Sequence, residues 1–163
     1  MRALRLWRRP IYRLARPFIV LFGQIVHGVT GDVRGVVVNG QGEVLLVEHT
    51  YVAGWHLPGG GVERNESAEA ALARELVEEA GVRLAGPAIA VPRFLGGDGR
   101  MASHLFKVEL WEPCEPTARG EILARGWFYP DALPKGATHW TRRRIERALA
   151  IEYQPVSESH PKR

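Results

Sequence analysis

Residues 60–82 read GGVERNESAEAALARELVEEAGV, and this stretch governs the reading of the whole 163-residue chain. No proline interrupts Asn65 to Ala80; Asn65 or Ser67 can cap a helix there, and Gly81 can stop it. Ala68, Leu72 and Leu76 recur at spacing four and give that helix an apolar stripe. Its other faces are acidic, with Glu66, Glu69, Glu75, Glu78 and Glu79. On an α-helix Glu78 lies about 60° behind Glu75 and Glu79 about 40° ahead of it, so three carboxylates share a narrow sector. Like charges so spaced destabilise a helix by roughly a few tenths of a kcal/mol per pair. Arg74 reaches Glu78 at i+4, but one guanidinium cannot neutralise three carboxylates. A hard divalent cation can, because Mg²⁺ takes oxygen ligands and keeps waters and substrate phosphates as further ones. Just upstream, Leu57-Pro58-Gly59-Gly60-Gly61-Val62 lets backbone approach a ligand or metal without side-chain obstruction.

Gly60, five residues, Glu66, seven residues, then Arg74-Glu75-Leu76-Val77-Glu78-Glu79-Ala80-Gly81-Val82 resembles the Nudix box, GX5EX7REUXEEXGU with U a bulky aliphatic residue, at every fixed position. The resemblance implies an α/β/α sandwich, a mixed sheet between helices, over roughly residues 31–152. It implies a Mg²⁺- or Mn²⁺-dependent hydrolase that cleaves a pyrophosphate bond in a nucleoside diphosphate linked to another group. By that similarity Glu75, Glu78 and Glu79 bind metal, Gly59 donates a carbonyl oxygen, and Arg74 with Glu66 braces loop against helix. Family members differ in the general base, which leaves Glu75 on the box helix and Glu121, six residues before Trp127 on a later loop, as the two candidates. Relatives are commonly dimers, so a homodimer is an implied partner.

On either side of the box the pattern is mixed α/β. Val33–Val38 and Glu43–Val47 flank the turn signal Asn39-Gly40-Gln41-Gly42 and read as a β-hairpin. Further strands are expected over 88–95, 102–111 and 125–129, with a tight turn at Gly96–Gly99, and a second helix over 138–151. That helix carries Arg142, Arg143, Arg144 and Arg147, a run that reads first as a solvated face and second as a phosphate or RNA contact. His49, Tyr51 and Trp55 precede the box closely and are candidates for the nucleotide pocket, with Trp55 set either to stack on a base or to pack under the loop. Arg34 is a further candidate for substrate phosphate. His49, His56, His104 and His139 show no metal-ligand spacing.

Composition separates the chain into three parts. The net charge is +4, yet residues 1–30 hold six arginines (Arg2, Arg5, Arg8, Arg9, Arg13, Arg16) and no acid, so the remainder is at −2. The isoelectric point near 9.6 therefore reports an arm rather than a basic domain. In the arm, Ile11, Leu14, Phe18, Leu21, Phe22 and Ile25 follow a helical face too short to span a bilayer. Packing on the domain or on a dimer partner is the first reading of residues 1–30; contact of its arginines with anionic lipid is the second. Residues 153–163 form a polar tail. Cys114 is the sole cysteine, which excludes an intrachain disulfide and a multi-cysteine zinc site and fits a reducing cytoplasm, with peripheral membrane contact as the alternative.

Substrate markers narrow the expectation. The proline that ADP-ribose hydrolases commonly carry about sixteen residues beyond the box is Asp98 here, and Gly97 to Met101 lacks the tyrosine of one dinucleoside polyphosphate subclass. What remains is a (deoxy)nucleoside triphosphate or a small nucleotide derivative. An RNA 5′-end pyrophosphohydrolase and a non-catalytic nucleotide-binding domain are the alternatives.

Overall fold

The computed structural model describes residues 29–92, 102–118 and 120–151. The basic arm through residue 28, the expected Gly96–Gly99 turn and the tail lie outside the described residues. Nine strands and two helices are described in the order β1 (Gly31–Val37), β2 (Val44–His49), β3 (Trp55–His56), β4 (Gly61–Val62), α1 (Ala68–Glu75), β5 (Val82–Leu84), β6 (Ile89–Ala90), β7 (Ala102–Val108), β8 (Trp111–Pro113), β9 (Ile122–Phe128) and α2 (His139–Leu149).

β1 is the central strand. It runs parallel to β7 in register from Gly31–Ala102 to Val37–Val108, and antiparallel to β4, giving a mixed sheet in the order β4-β1-β7-β6. A second, antiparallel sheet has the order β3-β2-β9, and β5 pairs with β8. Side chains alternate across β1. Val33 and Val37 join Leu72, Leu76 and Phe106 under α1, while Val36 joins Leu46, Leu57, Leu105 and Ile145 under α2. The result is the expected α/β/α sandwich, with a mixed sheet between one helix on each side.

The expected hairpin does not form. Asn39 makes the turn, its Oδ1 accepting from Gln41 N and Glu43 N at 3.0 and 2.9 Å, but a single bridge at Val38–Val44 joins the two arms before β2 departs to the other sheet. β1 is buried on both faces, and a strand so placed is completed by a parallel neighbour between helices rather than by its own hairpin partner. The expected strand over 102–111 is broken into β7 and β8. The helix expected from Asn65 begins at Ala68, capped by Ser67 Oγ, which accepts from Ala70 N at 3.1 Å. Asn65 instead takes a left-handed turn conformation, φ 66°.

The largest departure from expectation is at the other end of this helix. After Glu75 the chain continues as one wide π-helical turn, Leu76–Ala80, ended by Gly81. Partners outside the helix hold the widened turn: Ala118 N donates to Glu78 O at 3.0 Å, and Arg125 Nε donates to Glu79 O at 2.5 Å. The acids of this turn lie in different surroundings. Glu79 is buried, whereas the Glu78 side chain remains 41 % exposed.

Candidate active site

The glycine loop is fastened across β1 by main-chain bonds. Val33 N donates to Gly60 O at 2.9 Å and Gly35 N to Pro58 O at 3.0 Å. Between them Gly59 has φ 135°, and a Cβ there would lie 2.1 Å from Val33 O. Only glycine takes this conformation without strain. Both polar groups of Gly59 are engaged: its N–H donates to Glu79 Oε2 at 3.0 Å, and its carbonyl accepts from Arg34 Nη1. The loop thus presents its amide to the buried Glu79 carboxylate and its carbonyl to Arg34.

Arg74 connects loop to helix. Its Nε and Nη2 donate to the two oxygens of Glu66, each at 3.0 Å, and Nη2 also donates to Gly61 O at 2.9 Å. Its Nη1 donates to Glu75 Oε1 at 2.8 Å and lies 3.7 Å from Glu78. The fork hydrogen bond holds the Glu66 carboxyl below its ordinary range.

A cavity of about 390 Å³ collects most of the residues picked out in the sequence. Arg34, His49, Tyr51, Gly59, Glu75, Glu79 and Glu121 all line it. Burial pushes Glu79 up to about 7, with Glu75 adding to the rise and the Gly59 N–H opposing it. Glu75 is likewise raised, chiefly by burial, against the pull of Arg74. His49 Nδ1 stands 3.6 Å from Glu79 Oε1, but burial lowers His49 to about 4, so the ring is neutral at pH 7 and the pair is not an ion pair. Tyr51 is pushed up to about 12, first by burial and then by Glu79 and Glu121, and keeps its phenolic proton. His49 packs against Tyr51 and His56, with ring centroids 5.1 and 5.7 Å away, and the three form an aromatic wall. Glu121 reaches the rim because its loop is tied to the end of β2: Thr50 N donates to Glu121 O at 2.8 Å and Thr50 Oγ1 to Gly120 O at 3.0 Å.

Three sequence candidates lie elsewhere. Arg74 and Glu78 are not among the lining residues. Trp55 packs edge-on against Phe128, 5.0 Å between centroids, as part of the core beneath α2. A second chamber, about 270 Å³, shares Arg34 and His56 with the first and is completed by Leu57, Thr138, Trp140, Thr141 and Arg144. Of these only Arg144 is legible in the sequence as a candidate, within the arginine run whose second reading is a phosphate or RNA contact. The available signal was the pair Trp140 and Arg144 at i,i+4 directly after the Thr138 cap, which places both on one face of α2.

A divalent cation suits this donor set in kind. Gly59, Glu75, Glu79 and Glu121 line one cavity, and His49, whose buried Nδ1 has no hydrogen-bond partner, lines it with them. As placed, no group of three or more His, Cys, Asp or Glu among the described residues converges to ligating spacing. The reason is visible: Arg74 draws Glu75 and Glu78 to one side while the Gly59 amide holds Glu79.

A glycine loop clamped to a central strand and braced to an acidic helix, inside an α/β/α sandwich, is the architecture of a Nudix domain. A family model for the NUDIX domain matches residues 30–149, and the chain belongs to that family. It is similar to a MutT-like protein of Streptomyces ambofaciens, 41 % identical over 36 % of this chain and 37 % of that protein. It is also similar to an RNA pyrophosphohydrolase of Hahella chejuensis, 33 % identical over 63 % of this chain. The matches span 37 % and 60 % of the length of these two relatives. Among solved structures, a MutT NUDIX hydrolase from Burkholderia pseudomallei superposes with a TM-score of 0.63 at 26 % identity, covering 72 % of this chain and 96 % of that one. Among the described residues no helix is long and apolar enough to cross a membrane.

Proposed function

We propose that this chain hydrolyses the pyrophosphate linkage of a nucleoside triphosphate or a small nucleotide derivative. The observation that carries this reading is the joined pair of cavities, one acidic and one lined by Trp140, Thr138 and Arg144, with Arg34 and His56 in their common wall. The acidic cavity takes the phosphates and the second takes the nucleoside end. Gly59, Glu75 and Glu79, which line the acidic cavity, would hold Mg²⁺ or Mn²⁺, and Glu78, beside Arg74 outside that lining, would join them only by turning in. Such an ion neutralises phosphate charge and lowers the pKa of a bound water. Arg74 keeps Glu75 and Glu78 beside the loop, and His49 and Tyr51 line the Glu79 side of the cavity as neutral groups. The direct test is release of pyrophosphate or phosphate from a nucleotide panel with Mg²⁺. Tight nucleotide binding with no product from any member would identify a non-catalytic domain instead.

The candidates for the general base are Glu75, half-buried and held by Arg74, and Glu121, exposed on a loop tied to the end of β2 through its backbone. Glu75→Gln is expected to lower kcat by at least about a hundredfold. Turnover by Glu121→Gln within about threefold of the parent would remove Glu121 from the proton transfer. Trp140, 47 % exposed at the chamber, is the aromatic surface on offer to a base in place of the half-buried Trp55. Trp140→Ala is expected to raise KM by about tenfold with kcat little changed, since base stacking on an aromatic contributes roughly 1–3 kcal/mol. An unchanged KM would remove the base from this chamber.

A second reading, an RNA 5′-end substrate, is favoured by the likeness to the Hahella chejuensis protein. It predicts hydrolysis of a 5′-triphosphorylated oligonucleotide in preference to the free nucleotide, with binding that falls steeply as salt rises.

A further inference from the structure

Arg34 leaves β1 on the face turned to α2, two residues after Asp32 and on the same side of the strand. Its Nη1 donates to the Gly59 carbonyl, the oxygen assigned above to the cation. Its positive charge acts on Glu75 and Glu79 from within their cavity, and on His49 as well. On the other side the Asp32 carboxylate lies 3.8 Å from Arg34 Nε and 3.7 Å from Arg144 Nη2, both too long for hydrogen bonds. Arg34 thus stands in the wall common to the two cavities, bonded toward the acidic one and only loosely paired toward the other.

The geometry points to Arg34 as the built-in counter-cation of the carboxylate cavity, a positioning residue that a divalent cation displaces from the Gly59 carbonyl and that is thereby released toward substrate phosphate. A guanidinium and a divalent ion side by side on one carbonyl oxygen repel, even though that oxygen has two lone pairs. Once released, the fork has Asp32 as its nearest anion and stands where the two cavities meet, so that phosphate oxygens in the acidic one can accept both of its parallel N–H groups. Cation loading and phosphate capture are then successive moves of one side chain.

This inference rests on the cation reading under the proposed function, and binding of Mn²⁺ alone separates the two. Free Mn²⁺ is followed by electron paramagnetic resonance while it is titrated into the full chain and into Arg34→Met and Arg34→Lys. Arg34→Met is expected to bind Mn²⁺ about tenfold more tightly than the parent, and Arg34→Lys, which keeps the charge but loses the planar fork, is expected to fall between. Equal or weaker binding by Arg34→Met, with both proteins folded, overturns the role given to Arg34 and leaves the cation site standing. Absence of Mn²⁺ binding in all three overturns the cation site itself. A measurement on the parent protein needs no variant: Mg²⁺ is expected to shift the Arg34 Nε–H resonance in a ¹⁵N–¹H spectrum at the same concentrations that shift the Gly59 amide. A stationary Arg34 signal while the Gly59 signal moves also overturns the proposal.

Discussion

Replacing Glu79 by glutamine is expected to abolish turnover and, in the same protein, to raise the melting temperature at pH 8. The two effects share one cause. Glu79 is 5 % exposed, and burial lifts its carboxyl to about 7 from an ordinary value of 4.5. A raised carboxyl pKa means that the fold prefers the protonated form, so its contribution is intact below the unfolded value and is lost as pH rises through the folded one. The native protein therefore becomes less stable between about pH 4.5 and pH 7 on account of this group. Glutamine is neutral throughout and still accepts the Gly59 N–H, so in EDTA the variant should gain on the parent across that window, by up to about 3 kcal/mol above it. Activity should fall on the order of a thousandfold, because a neutral amide supplies no charge to a divalent ion. Melting curves at pH 4 and pH 8 with chelator, beside a turnover assay, check both halves. A variant no more stable than the parent at pH 8 would show that Glu79 is not strained by its burial. His49 acts in the opposite sense. Lowered to about 4, it refuses a proton that the unfolded chain accepts, so its contribution is full above pH 6.5 and declines as pH falls toward 4.

Gly59→Ala and Gly60→Ala, one residue apart, are expected to fail in different ways. At Gly59 a methyl group meets Val33 O at 2.1 Å and Arg34 Cα at 3.0 Å, with φ at 135°. Both obstacles are backbone, and the main-chain bonds on either side keep the loop from backing away. A loss of about 4 kcal/mol or more, or no folded protein at all, is the expected result. At Gly60 the methyl group meets Glu75 Oε1 at 2.3 Å, the tip of a flexible side chain that Arg74 holds. That carboxylate can swing away, so Gly60→Ala should fold and melt within about 5 °C of the parent while losing at least about tenfold in turnover. Thermal melts of the two purified variants provide the comparison. Equal destabilisation of both would mean that the loop is not held by its clamp on β1.

The sequence made the box helix legible because its signals were local: the Ser67 cap, the stop at Gly81 and the stripe of Leu72 and Leu76 are all read within a few residues. The sandwich followed from the family motif rather than from periodicity, as the misplaced hairpin shows. Whether β1 pairs with β2 or with β7 depends on helices covering both its faces, which no turn signal at Asn39–Gly42 reports. The widened turn at Leu76–Ala80 was hidden for a similar reason, since its carbonyl partners, Ala118 N and Arg125, come from far along the chain. Arg34 was legible as a basic residue near the site, but not as the partner of the Gly59 carbonyl. Trp140 and Arg144 stood inside an arginine-rich helix that resembled any solvated face until β1 and the loop at Leu57 were placed against it. Trp55 shows the converse: an aromatic next to a ligand loop is a natural stacking candidate, and only tertiary packing on Phe128 places it in the core.

The parallel pairing of β1 with β7 bears on how this protein comes to exist in the cell as well as on its shape. Gly31 waits for Ala102, and β2 for the still later β9, so the sheet holding Arg34 closes only after most of the chain has been synthesised. Closing loops of about 70 residues costs entropy before any contact rewards it, which places the chain among slow, high-contact-order folders. Nascent chains that have emerged only through the box helix lack β7 and α2, so Val36 has neither Leu105 nor Ile145 to cover it. Expression yield and chaperone demand should therefore respond most strongly to changes in β7, a strand that supplies no residue to either cavity.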